Sequence, residues 1–362
     1  MKPIEKKKGN SLEFLTASYF QAHGYLVRRS VKLSVAAGTA EATDIDLLAI
    51  RFNTPLAEER VVVDCKDRKK SHPFERILWT LGLSSFSRAQ RAVVVTPKVP
   101  WQAREFAAQG AVEILDALDL ETFLDSAGGK IQAFGEADPE VANQFEVCKK
   151  HMGEENKHLL REDLKLRQML TIGSPLTNFN RVVATFSMIK KQPAGIRDDV
   201  AWISRYICFN AAVVAAVMLV RFSAESKWTP EKDWSAYARK KLTYGDTSPV
   251  KAQQLAKLAF GTDFFEGLPP PHYTDEIIEV IKALISRPDI AVQVPYALDY
   301  HLLGCVLGKT PKDAVHPVLG ARQEEVLKMG KRILSALAYA AEMDVSIWED
   351  ENTSTVPKDR AR

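Results

Sequence analysis

The sequence predicts an α/β domain with a mixed central sheet, followed by an all-α C-terminal domain. Three observations carry that expectation. Between residues 25 and 116, short runs rich in Val, Ile and Leu alternate with stretches of helical period. Residues 92–96 form a short apolar run ended by Pro97, the pattern of a strand buried in a parallel position. Beyond about residue 140 the strand pattern stops, and helical segments follow one another with Pro or Gly between most of them.

Taken in order, residues 11–23 read as a helix. Asn10 or Ser11 can cap it, Leu12, Leu15, Tyr19 and Phe20 form its apolar face, and Gly24 stops it. Glu13 falls in its expected first turn, where an acid complements the helix dipole. Residues 25–35 alternate as a first strand, and 36–42, with Gly38, form a turn. Two more strands are expected at 43–52 and 59–66, broken apart by residues 53–55. A helix at 74–89, a strand at 92–96, a helix at 101–109, a strand at 112–116 and a short helix at 118–124 complete a mixed-sheet domain.

Gly128-Gly129 and the polar residues 136–139 mark a boundary, dividing the chain into 1–130 and 131–348. Helices are expected at 142–170, 179–190, 198–222, 230–241, 249–260, 274–286, 295–307 and 320–343. Residues 349–362 are polar and expected to be disordered. Residues 206–220 are almost wholly apolar, but they fall short of the ~20 residues of a membrane span and Asn210 interrupts them. A buried central helix is expected there, and no membrane partner.

The formal charge of +3 neither requires nor excludes a nucleic-acid partner. The four cysteines are far apart and lack CxxC spacing, which points to a reduced, cytoplasmic protein without disulfides or structural zinc. The N-terminus is lysine-rich, with no apolar signal region.

The chemistry concentrates in residues 43–66. Asp44 and Asp46 lie on one expected strand, Asp64 and Lys66 on the next. Side chains two residues apart share a strand face. If the strands pair as a hairpin, Asp46 sits beside Asp64, and two adjacent carboxylates repel unless a cation lies between them. Hard divalent ions such as Mg²⁺ favour such oxygen donors, and a neighbouring lysine can stabilise charge on a phosphate. Ordinary edge charges are the competing reading, but Asp is depleted in strands and here it ends a Val-Val-Val run.

Asp44 is either an auxiliary ligand or a solvated edge charge. Cys65 points the other way, into the core. Arg68, Lys69 and Lys70 lie just beyond, where a phosphate backbone can approach. His72 reads as a turn residue, His151 and His158 as surface residues seven apart on one helix, and His272 and His316 as loop residues. Arg322, Lys328, Lys331 and Arg332 share an expected helix and could serve a phosphate backbone, but a solvated face is the favoured reading.

Several stretches in order resemble the PD-(D/E)xK nuclease superfamily, and within it the Mrr-like restriction endonuclease domain. These are Gly9-Asn10-Ser11-Leu12-Glu13-Phe14, His23-Gly24-Tyr25-Leu26-Val27, Asp44-Ile45-Asp46-Leu47-Leu48-Ala49 and Asp64-Cys65-Lys66. Val94-Val95-Thr96, Ala103, Ala107 and Glu113-Ile114-Leu115-Asp116 follow. Asp64 stands where many Mrr-like members carry Gln or Glu. The resemblance implies a restriction-endonuclease-like core and metal-dependent hydrolysis of DNA phosphodiesters. Asp46, Asp64 and the backbone carbonyl of Cys65 would hold Mg²⁺, with Mn²⁺ as substitute. Lys66 would orient or activate water, and Glu13 would reach in directly or through water. Prokaryotic defence is the implied setting. Nuclease action on branched DNA in repair or recombination, and a non-catalytic binding subunit, are the rivals. The helical domain would serve targeting, partner proteins or a homodimer.

Overall fold

A computed structural model describes residues 8–34, 41–66, 72–126, 133–190, 198–261, 267–304, 306–307 and 318–348. Arg68, Lys69, Lys70, His316 and the expected tail 349–362 lie outside them.

Five strands form one sheet in sequence order: β1 (Leu26–Ser34), β2 (Glu41–Asn53), β3 (Ala57–Cys65), β4 (Arg91–Thr96) and β5 (Val112–Asp116). β1, β2 and β3 pair antiparallel; β3, β4 and β5 pair parallel. The switch follows from the connections. A short turn joins β2 to β3, whereas helix α2 (Pro73–Ser87) crosses over between β3 and β4. Helix α3 (Trp101–Gln109) does the same between β4 and β5.

Alternation along the strands divides their side chains between two layers. Val27, Leu47, Ala49, Val61, Val63 and Val93 face helices α1 (Lys8–Ala22) and α4 (Ala117–Ser126). On the opposite face, Ala92 and Val94 meet α2 and α3. Leu26, Leu48, Ile50, Phe52 and Val62, also on that face, join the core of the helical half. The helical half is thus packed directly onto the sheet.

Its helices are α5 (Pro139–His151), α6 (Lys157–Met169), α7 (Pro175–Lys190), α8 (Asp198–Ser226), α9 (Glu231–Tyr244), α10 (Pro249–Phe260) and α11 (Thr274–Ser286). The short α12 (Pro288–Ala291) and α13 (Val294–Leu298) and the long α14 (Gln323–Ala341) follow. α8 is the central element. It is long and apolar enough to cross a membrane, yet 89% of its most apolar stretch is buried inside the protein. It is the expected central helix.

Four expectations change. α1 starts at Lys8, so Glu13 lies in its second turn rather than its first. The expected helix 142–170 is two helices parted at Gly153, which places His151 and His158 on different helices. The expected helix 295–307 gives way after Leu298 to a π turn at Asp299–Leu303 that buries Asp299. Arg322 precedes α14 in a 3-10 turn and pairs with Asp289.

Candidate active site

Asp46 sits where two ladders are interrupted. The β2–β3 pairing runs to Leu47–Val63, and one step further come Asp46 and Asp64. On the other side, β1 and β2 pair at Arg29–Leu47 and again at Val31–Ile45. Between them Ser30 adopts φ +50 and leaves the ladder opposite Asp46. Left-handed backbone on a non-glycine strand residue is uncommon and concentrates at functional sites. The Asp46 carboxylate takes over one lost backbone contact: its Oδ2 accepts the Cys65 N–H at 2.8 Å. The side chain is thereby fixed at the mouth of the β2–β3 hairpin.

Asp64 is 3% exposed. Lys66 Nζ lies 3.4 Å from Asp46 Oδ2 and 3.5 Å from Asp64 Oδ1, so one ammonium spans both carboxylates. Arg76, in the first turns of α2, holds Asp64 from the other side. Its Nε donates to Asp64 Oδ2 at 2.9 Å and its second nitrogen bonds Oδ1, a two-point fork. Arg29 Nη2 binds Glu13 Oε2 at 2.8 Å, and Arg29 stacks on the Phe14 ring. Three acids, Glu13, Asp46 and Asp64, therefore face three cations, Arg29, Lys66 and Arg76.

Burial first, and the Asp64 charge second, push the Asp46 carboxyl up to about 6 from its ordinary 3.8. Lys66 and the Cys65 amide pull it down, and Glu13 adds to the rise. Asp46 is the under-compensated member of the cluster, and among the described residues its Oδ1 accepts no hydrogen bond. Cys65 is 8% exposed, hydrogen-bonded to Thr16, and its thiol is raised by burial beyond any useful range. It is a core residue, as expected. Among the described residues no three His, Cys, Asp or Glu side chains cluster closely enough to hold a metal. The donor set instead fits a hard ion that takes one or two carboxylates and fills its other positions with water or phosphate, the habit of Mg²⁺.

Asp44 is exposed on the same strand and contributes to the field at Arg76. His72, exposed, occupies the N-cap position of α2, and its side chain makes no capping bond. His151 pairs with Asp199, and both it and His158 are exposed. His272 contacts the Tyr339 carbonyl at 3.2 Å. Lys328, Lys331 and Arg332 form a solvated face.

Sequence reading missed Arg76. One signal was available: a cation near a helix N-terminus opposes the helix dipole. Arg76 occupies such a position ahead of an uncharged stretch, residues 77–87, and so needed a partner from another element.

No curated protein and no solved structure matches the chain. The Mrr_cat family model, described as restriction endonuclease, matches residues 4–124. That span holds all five strands, α1 to α3 and most of α4, together with Glu13, Asp46, Asp64 and Lys66. The N-terminal third of the chain is an Mrr-like restriction endonuclease domain of the PD-(D/E)xK superfamily, carried on a largely helical C-terminal half.

Proposed function

We propose that the protein is a divalent-cation-dependent endonuclease that hydrolyses DNA phosphodiesters, acting in prokaryotic defence. The observation that carries the reading is the convergence of Asp46, Asp64 and Lys66 at the open end of β2 and β3. Asp46 and Asp64 would hold the ion, with the Cys65 carbonyl beside them and Glu13 near through water. When bound, Mg²⁺ or Mn²⁺ lowers the pKa of a water and offsets charge on the phosphate. Lys66, held between the carboxylates, donates to the phosphate oxygens as negative charge grows on them. Lys66 would also orient the attacking water or help deprotonate it. The Cys65 amide keeps the Asp46 carboxylate from turning away.

Two further features support the setting. Cys65, Cys148 and Cys208 are free and buried, which suits a reducing cytoplasm. The exposed apolar side of α2, with Phe74, Leu78, Trp79 and Phe86, suits a homodimer or a protein partner. The helical half and Arg68, Lys69 and Lys70 would help place the DNA.

The test is cleavage of plasmid, linear, branched and single-stranded DNA, and of RNA, with Mg²⁺ or Mn²⁺ and with Lys66→Ala as control. Metal-dependent cutting of DNA that disappears in the variant is the expected result. Preference for branched DNA would move the setting to repair. DNA binding with no cutting under any metal would replace the enzyme with a binding subunit.

A further inference from the structure

We infer that Arg76 is a displaceable counter-ion: its guanidinium occupies Asp64 until a divalent cation takes its place, and it then turns to the DNA phosphate. This rests on the metal-dependent reading above.

The argument begins with Asp64. A carboxylate 3% exposed needs compensation, and the structure supplies it unequally. Lys66 approaches Asp64 at 3.5 Å, a loose ion contact. Arg76 makes the two-point fork that uses both Asp64 oxygens. With Lys66 also at Oδ1, an ion bound to Asp64 competes with the guanidinium for the same two oxygens and meets its positive charge at close range. The guanidinium has somewhere to go. Its side chain is 27% exposed, on a helix that begins at Pro73 just after the basic residues 68–70.

Charge count gives the reason for the exchange. Glu13, Asp44, Asp46 and Asp64 face Arg29, Lys66 and Arg76, one negative charge in excess. Adding a divalent ion leaves one positive charge in excess. A phosphodiester brings the one negative charge that balances it. Cation and DNA thus complete the site together, and Arg76 links the two. Without DNA, Arg76 weakens cation binding; with DNA, it adds a phosphate contact.

Mn²⁺ binding, read from the electron paramagnetic resonance signal of free Mn²⁺, tests this without any turnover. The full chain and Arg76→Gln, Arg76→Lys and Asp46→Asn variants are titrated. Arg76→Gln is expected to bind Mn²⁺ three- to tenfold more tightly than the wild type. Arg76→Lys, which keeps the charge but loses the fork, should fall between them and covers the case in which the glutamine variant does not fold. In Ca²⁺, Arg76→Gln should bind duplex DNA several-fold more weakly. Unchanged or weaker Mn²⁺ binding by the folded Arg76 variants overturns the inference. If the wild type binds no Mn²⁺, or Asp46→Asn binds it equally well, the metal-dependent reading itself has failed.

Discussion

Two charged clusters lie on either side of Arg29, and they are built to opposite ends. At the junction of sheet and helical half, Arg167 of α6 binds Glu136 through two nitrogens, at 2.7 and 2.9 Å, and Asp163 through a third at 2.8 Å. Its Nη1 also donates to the Arg29 carbonyl at 2.7 Å. Tyr206 of α8 donates to Glu136, and Asn210 links Asp163 to Arg28. Burial alone would raise Glu136, yet the Arg167 and Arg28 charges hold it down at about 2. In the candidate site, burial and a second acid win instead, and Asp46 rises to about 6. Both clusters draw on carboxylates and cations. Where Arg167, Glu136 and Asp163 match one another's donors and acceptors, the charges fix architecture. Where one oxygen is left open and one carboxylate is under-compensated, they are available for chemistry. Arg28 and Asp299 fall between: Nη1 and Oδ1 approach to 2.9 Å, but off the hydrogen-bonding direction.

The contrast can be broken most severely at Arg167. Arg167→Met strands Glu136 and Asp163 in the interior and should cost about 3–5 kcal/mol, seen as a lower urea midpoint. Activity per folded molecule should stay near wild type. Lys66→Ala should do the reverse. Cleavage should fall at least a hundredfold, about 2.7 kcal/mol of barrier, while the urea midpoint moves little.

Asp46→Asn sharpens the difference in sign. The folded-state value of Asp46 lies above its ordinary one, so its charge opposes folding once ionised. The amide should stabilise the metal-free protein by about 1–2 kcal/mol above pH ~6, and the gain should vanish below pH ~4. Glu136 has the opposite sign. Its contribution is complete above 4.5 and is lost as pH falls toward 2. Stability measured from pH 3 to 8 in wild type and variant separates the two. The smallest effect belongs to an exposed pair. Lys149→Ala, which breaks the contact with Glu146, should change stability by less than about 0.5 kcal/mol.

Much of the restriction-endonuclease-like domain was legible in local pattern. The apolar runs located all five strands within a few residues, and the spacing Asp64-Cys65-Lys66 put acid and lysine on one face because strand geometry repeats every two residues. Asp46 beside Asp64 followed once those strands were taken as a hairpin. The helix start was misplaced by three residues because Lys8, Gly9 and Asn10 carry no apolar signal. The helix expected at 295–307 runs as α-helix to Leu298 and continues as π-helix to Leu303, a change of winding that local pattern does not record and that sets Asp299 against Arg28.

By itself, then, the sequence determined the order and type of the elements, the two-residue step that aligns Asp64 with Lys66, and the apolar helix at the centre of the second half. These depend on neighbours along the chain, and periodicity records them. Only the tertiary structure decided that Ser30 leaves the ladder opposite Asp46, that Arg76 grips Asp64, and that the helical half shares a core with the sheet. Those contacts join residues from different elements. Their energies come from desolvation and charge at distances that no linear pattern encodes.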